Sequence, residues 1–495
     1  MDPNATLEDT AHDSSRQSLL KRDRQVTAGQ STAEGNASTL PRWLRVSLIG
    51  VLVVFVAIRV VEPLRDPDSF WHIAAGARLA HTWDFVTTDP WSASSTQPWI
   101  LNQWLPELAM SAAYRLGGYA AVVWLFIIAS VGVLLVVWAT CRARSSMLTA
   151  AVITMAAFFA LSASLSPRPQ LASFALAAVT THAWLRSIDD HRPRWWLIPL
   201  TWLWACSHGL WFLSAGIGSA AVLGLWAGRG VRGRDLTRLA LVVLGSLSVG
   251  ALTPVGPRLL ASPFQVHEVT QFITEWQPPA RTDPHLLVTL ALLVLATVGA
   301  WRPPRSRRWA HLLLCLMALA LALTYVRTIG LAAVIAAPMA AGALHGLTGM
   351  ARERVARTEI LVTTGLVLLA LGVAGLTAAV RAQDSGLGPE AMGPALSKLP
   401  GGTVVCNDLL YGGWLILEHP DLRPTMDSRF EIYSVDQIEA YRDFISGGSN
   451  WRQYVASTGC AYALLKADSP ALQVVSGAGW RTEATTKDLV LMARS

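Results

Sequence analysis

Apolar segments of membrane length recur along this chain, and they decide what it can fold into. One runs from Tyr119 to Thr140 without a charged residue. No water reaches the interior of a bilayer, so each backbone N–H and C=O in such a run must be satisfied within its own segment. A helix of about 20 residues does this. Similar runs lie at Leu44–Val61, Met147–Leu165, Leu171–Leu185, Trp195–Ser207, Leu210–Trp226, Leu239–Leu252, Leu286–Trp301, Trp309–Val326, Ile329–Leu347 and Ile360–Val380. The fold class they predict is a polytopic α-helical membrane protein with about 11 transmembrane helices. Composition agrees: 15% of the 495 residues are charged, against about 25% in a soluble protein.

The net charge of +7 is therefore read by position, not as a nucleic-acid footprint. Arginines cluster at 42–45, 142–144, 186–194, 229–238, 302–308 and 352–357, all in short loops. If each loop is cytoplasmic, the positive-inside rule is obeyed throughout. Lysine occurs only at Lys21, Lys398, Lys466 and Lys487. That bias, with abundant Ala and Gly, points to a high-GC bacterium and hence to a multi-pass protein of the bacterial inner membrane. Residues 1–41 read as a disordered cytoplasmic tail, and 42–380 as the transmembrane domain, with a large first exoplasmic loop at 62–118. An odd number of spans places 381–495 outside. Short apolar runs at Thr403–Cys406, Ala461–Leu465 and Leu489–Met492 predict strands there, and Asp436–Ser446 and Trp451–Thr458 predict helices. Together they make a C-terminal exoplasmic α/β domain, joined through a linker at Gly386–Pro394.

This topology gathers the unusual polar residues on one face. Arg65-Asp66-Pro67-Asp68-Ser69-Phe70-Trp71-His72 follows the first span. Charge so near hydrocarbon costs several kcal/mol unless paired or wetted, so the cluster is either an interfacial cap or a functional site. Asp84, Asp89 and Glu107 share its loop; Arg168, His208, Glu275 and Arg327 fall on later loops of the same face. A carboxylate can serve as general base, arginine can clamp a phosphate, and histidine can add a hydrogen bond. Each residue also has a plainer role open to it: snorkelling for Arg168, a structural imidazole for His208, loop surface for Glu275.

Within the first loop, Ser69–His81 has weak helical spacing and is expected to lie on the membrane surface; Leu105–Leu116 reads as a second interfacial helix. Trp71, Trp83, Trp91, Trp99 and Trp104 suit interfacial anchoring or stacking on a sugar. Gly412-Gly413 and Asp427-Ser428-Arg429 read as turns, with acceptor contacts as the alternative. Cys406 ends one expected strand and Cys460 precedes another. In neighbouring parallel strands those are opposite ends, which speaks against a bridge although the compartment permits one. No metal-ligand spacing, P-loop or dinucleotide fingerprint occurs, so no residue is assigned to a metal.

The order Trp83-Asp84-Phe85-Val86, Thr88-Asp89-Pro90-Trp91-Ser92 and Gln103-Trp104-Leu105-Pro106-Glu107-Leu108 after an acidic motif resembles the first loop of GT-C fold glycosyltransferases. The likeness is to bacterial relatives of the protein O-mannosyltransferase and aminoarabinose transferase families. Arg168-Pro169-Gln170, Ser207-His208-Gly209, Thr253-Pro254-Val255-Gly256, Glu275-Trp276, Tyr411-Gly412-Gly413-Trp414-Leu415 and Asp427-Ser428-Arg429-Phe430-Glu431-Ile432-Tyr433 extend it over most of the chain. The resemblance implies transfer of a sugar from a polyprenyl-phosphate donor to an envelope glycan, lipid or protein acceptor. It assigns Asp68 as catalytic base with Asp66 second, and Arg168, His208 and Arg327 to the donor phosphate. Trp71, His72, Asp89, Trp104, Glu107 and Glu275 are left for acceptor or sugar. The relatives often carry Asp-Glu where this chain has Asp66-Pro67-Asp68-Ser69; that departure leaves the acid partner open and a divalent metal neither required nor barred. The competing readings are a non-catalytic GT-C-like scaffold whose outer domain binds an envelope polymer or partner, and a transporter.

Overall fold

The computed structural model describes residues 41–59, 61–261 and 266–495. Apart from Pro41, the expected N-terminal tail lies outside them. A helix occupies each of the eleven expected spans. Among the described residues, seven helical segments are long and apolar enough to cross a membrane: Trp104–Arg142, Met147–Ser164, Gly209–Ala227, Gly233–Leu252, Arg305–Thr324, Val326–Thr348 and Arg357–Arg381. Four fall short of that measure, Arg42–Arg59, Gln170–Asp190, Leu197–Ala205 and Pro284–Gly299. Leu197–Ala205 has 9 residues, about 14 Å of helix against a hydrocarbon core of about 30 Å.

Trp104–Arg142 joins the expected second interfacial helix to the second span. The two halves meet at Gly117 and Gly118, where φ is −163° and +60°; the second conformation needs a residue without Cβ. At the centre stands Ile329–Thr348, buried continuously from Ile329 to Ala341 and packed against Pro284–Gly299 and Met147–Leu161. Its many alanines let neighbouring backbones approach closely.

The two ends of the bundle differ in chemistry. At one, the arginine loops meet: Arg144 and Arg307 both reach Asp189, Arg142 reaches Glu353, and Arg352 donates to the Arg144 carbonyl. At the other, the first loop meets the C-terminal domain. The first loop holds an antiparallel strand pair, β1 (Val86–Thr88) and β2 (Pro98–Ile100), and the C-terminal domain a mixed five-stranded sheet in the order β4 (Arg423–Pro424), β3 (Val404–Asn407), β5 (Tyr462–Lys466), β7 (Leu489–Ala493) and β6 (Arg481–Thr485). β4, β3 and β5 run parallel; β7 is antiparallel to β5 and β6.

Cys406 and Cys460 are bridged, with Cα atoms 5.6 Å apart, which corrects the expectation. β3 and β5 are parallel neighbours, but Cys406 faces Ala463 across the ladder. Cys460 lies before β5, where Gly459 (φ +68°) ends the Trp451–Thr458 helix and Ala461 N–H already donates to the Val404 carbonyl. The turn folds the second cysteine back to the first. Gly412-Gly413 is not a turn either: it lies inside the helix Leu409–Glu418. A Cβ on Gly413 would come within 2.5 Å of the Pro67 carbonyl oxygen, so glycine is what lets this helix press against the first loop.

Candidate active site

The first-loop helix spans Pro67–Thr82, with Asp66 at its N-cap. Asp66 accepts from the Asp68 N–H at 3.0 Å, and proline at the first helical position needs no hydrogen bond there. The helix does not lie on a membrane surface as expected. Phe70, Trp71, His72, Ile73 and Ala75 are all buried, because Trp104–Arg142 covers one side and Leu409–Glu418 another. The modest apolar face read from the sequence was one side of a helix enclosed on several.

Capping turns the Asp66 and Asp68 carboxylates toward the 162–170 connection. Ser69 Oγ donates to the Pro167 carbonyl at 2.9 Å and ties the two segments together. Arg168 then binds three carboxylates from two loops: Nε to Asp66 Oδ2 at 2.5 Å, and Nη1 to Asp68 Oδ2 at 3.1 Å and Glu275 Oε1 at 3.0 Å. Burial alone would disfavour the cation, but Asp68, Asp66 and Glu275 outweigh it and hold Arg168 protonated. Burial also raises Asp66, more than Arg168 lowers it. Asp68 goes the other way: burial pulls it up, and Arg168 and His72, aided by Arg327, pull it below the usual range. The two aspartates are thus driven apart, Asp66 upward and Asp68 downward.

A cavity of about 1240 Å³ opens beside this cluster, lined by Asp68, Trp71, His72, Arg168, His208, Glu275 and Arg327. Trp204 Nε1 donates to Ser173 Oγ, and that hydroxyl lies 2.8 Å from His208 Nδ1, which also accepts from Leu210 N–H at 3.3 Å. Burial holds His208 well below its usual pKa, so the ring is neutral, and its outer nitrogen, Nε2, faces Arg327. Arg327 Nη2 stands 3.4 Å from that nitrogen, while Nη1 reaches Glu275 Oε2 at 3.6 Å. Its Nε is buried without a partner. A mostly buried guanidinium this poorly satisfied calls for an acceptor from outside the protein. His72 Nδ1 lies 2.9 Å from the buried Glu107 Oε1. Below these groups the wall turns apolar, with Leu213, Met317, Ala320 and Leu321.

The C-terminal domain forms the opposite wall with Ser428, Phe430, Glu431, Tyr433 and Asp436. Trp71 Nε1 links the two sides, donating to Asp68 Oδ1 at 3.3 Å and to Ser428 Oγ at 3.1 Å. Asp427-Ser428-Arg429 is therefore more than turn chemistry. Arg429 is fully buried and pairs with Asp427 and with Asp89 of the first loop, each at 2.7 Å. Trp71, Trp91 and Trp99 pack around its guanidinium, 4.7–5.9 Å from ring centroids.

Among the described residues Glu431 forms no ion pair, and its side chain is exposed at the cavity. The cavity walls strip it of hydration and push its carboxyl up to about 7, more than its own backbone N–H and Arg429 pull it down. Ionisation then opposes folding: the cost is absent below the unfolded value of about 4.3, grows as pH rises, and is complete above about 7. Glu431→Gln is accordingly expected to raise the melting temperature at pH 8 and leave it unchanged near pH 4. Equal shifts at both pH values would show that the carboxyl titrates normally.

Of the residues singled out in the sequence, Asp68, Trp71, His72, Arg168, His208, Glu275 and Arg327 share the cavity, and Asp66 backs it through Arg168. Asp89 is sealed against Arg429, Glu107 stands behind His72, and Trp104 packs on Phe85 and Trp83, all off the cavity surface. Glu431 and Asp436 line it without having been singled out for it. The motif around Arg429 was the available signal for that wall.

No family model and no curated protein matches the chain. Solved structures do. An archaeal oligosaccharyltransferase, AglB from Archaeoglobus fulgidus, in complex with an inhibitory peptide and a dolichol-phosphate, aligns at a TM-score of 0.60 and 12% identity, over 86% of this chain and 69% of that one. The Archaeoglobus fulgidus oligosaccharyltransferase in complex with Zn and sulfate gives 0.53 and 13% identity, over 84% and 68%. ArnT from Cupriavidus metallidurans bound to undecaprenyl phosphate gives 0.47 and 13%, over 90% and 97%.

Proposed function

We propose that this chain, whose fold is that of the GT-C membrane glycosyltransferases, moves a sugar from a polyprenyl-phosphate donor to an acceptor hydroxyl. The observation that carries the reading is Arg327, half-satisfied beside Arg168 at the head of a cavity whose lower wall is apolar. A phosphate on an isoprenoid tail has matching chemistry at both ends. The dolichol-phosphate held by the AglB structure supports it.

In this mechanism the donor phosphate lies against Arg327, the outward N–H groups of Arg168 and the neutral ring of His208. Asp68 takes the proton from the acceptor hydroxyl as that oxygen bonds to the anomeric carbon. The bond from carbon to phosphate oxygen breaks, its electron pair stays on that oxygen, and polyprenyl phosphate leaves with the arginines stabilising its charge. The arginine-loop end would be cytoplasmic by the positive-inside rule, which puts the cavity and the C-terminal domain on the exoplasmic side of a bacterial inner membrane. Envelope glycans, lipids and proteins meet the enzyme there as acceptors.

Purified protein in lipid nanodiscs, offered a panel of undecaprenyl- and decaprenyl-phosphate hexoses and pentoses with detergent-solubilised envelope extract, is expected to release polyprenyl phosphate from at least one. Release from none, with the protein shown folded by its melting curve, would overturn the reading.

A further inference from the structure

Three carboxylates brought together from two loops, Asp66 and Asp68 from one and Glu275 from another, are the oxygen type that a hard divalent cation takes at about 2.0–2.6 Å. In this protein the centre of that set is filled. Arg168 Nε and Nη1 lie 2.5–3.1 Å from Asp66, Asp68 and Glu275. A metal ion could not share these oxygens with a guanidinium without displacing it. Among the described residues, no group of three or more His, Cys, Asp or Glu is placed to hold a metal as the protein stands, this one included.

We propose that Arg168 is a built-in cation that stands where a divalent ion would otherwise bind, so that the native site takes neither Mg²⁺ nor Mn²⁺. Two features make the substitution physically sound. Arginine stays charged at every accessible pH and offers five donors in a rigid fork, so one side chain can serve three carboxylates and still present N–H groups to a phosphate. Its charge is also fixed to the chain: Ser69 and Pro167 hold the segment that carries it, and no free-ion concentration governs its occupancy. The three acids exceed Arg168 by two negative charges, one of which Arg327 offsets at Glu275. A site with that excess keeps its affinity for cations once the guanidinium is gone.

The claim concerns what the cluster binds and stands apart from the transfer reaction, so it can fail while the proposed function survives, and the reverse. Mn²⁺ alone is the probe, followed by its electron paramagnetic resonance signal on purified full-length protein, with and without undecaprenyl phosphate. Wild type is expected to bind no stoichiometric Mn²⁺ up to about 1 mM in either condition. Arg168→Gln should bind one Mn²⁺ at least ten-fold more tightly than wild type, and Asp68→Asn in that background should remove it. Arg168→Lys, which keeps the charge, should stay empty. If Arg168→Gln fails to fold in plain buffer, folding restored by Mn²⁺ supports the proposal and failure in both conditions overturns it. One Mn²⁺ on the wild type that Asp66→Asn or Asp68→Asn abolishes overturns it as well, as does a folded Arg168→Gln that binds none.

Discussion

Asp68→Asn is expected to lower the turnover of sugar transfer by about 100- to 10,000-fold, the usual contribution of a positioned general base. The amide keeps the shape of the carboxylate and its hydrogen bond from Trp71 (3.3 Å); what it removes is the charge that accepts the proton. Donor KM should change far less than turnover, because Arg327 and His208 are untouched and the amide oxygen can still accept from Arg168 Nη1. Arg168 and His72, with Arg327, hold Asp68 below the ordinary carboxylate range against the pull of burial. The acidic limb of the rate profile should then fall at lower pH than a free aspartate would give, with activity lost only as Asp68 is protonated. Asp66→Asn is predicted to act differently. Asp66 reaches the reaction only through Arg168 Nε, so its loss should raise donor KM as well as lower turnover. Full activity in both variants would remove the aspartates from the mechanism.

The spans were legible because bilayer thickness imposes a length that a single sequence displays: Met147–Leu165 and Leu210–Trp226 need only be counted. Leu197–Ala205 was harder, since apolar residues on either side of a short helix look like part of a span. The gathering of Asp68, Arg168, His208 and Arg327 on one face followed from topology alone. Their pairing did not. Arg168 and Glu275 are separated by 107 residues, and nothing local says that a snorkelling arginine will turn inward to three acids. The disulfide was misjudged for a related reason: the parallel pairing of β3 and β5 was anticipated, but the turn at Gly459 that returns Cys460 beside Cys406 is a detail of backbone geometry. Burial of a whole ion cluster was least visible, because Asp-Ser-Arg looks like exposed turn chemistry until Asp89, 340 residues away, supplies the second carboxylate.

That cluster sets the second large effect. Arg429→Met is expected to destabilise the C-terminal domain and its seat on the first loop by about 3–5 kcal/mol, the cost of leaving buried charge without its partner. Asp89, Asp427 and Arg429 are all fully inaccessible, so water cannot replace the guanidinium. The two carboxylates would repel each other inside three tryptophan rings. A fall in melting temperature on the order of 10 °C would report this. Methionine fills much of the space, so lost packing explains little of such a fall, and a charge test separates the two causes. Adding Asp89→Asn and Asp427→Asn to Arg429→Met removes the stranded charges and should recover most of the loss, as replacement of whole buried ion clusters commonly does. Transfer should not recover with it. Trp71 bridges Asp68 and Ser428, and its ring packs on Arg429, so the guanidinium positions the base as well as joining the domains. A triple variant with restored melting and wild-type turnover would reduce Arg429 to a structural ion. Restored melting with turnover still low would make it a positioning residue, through which the C-terminal domain holds Asp68 in place.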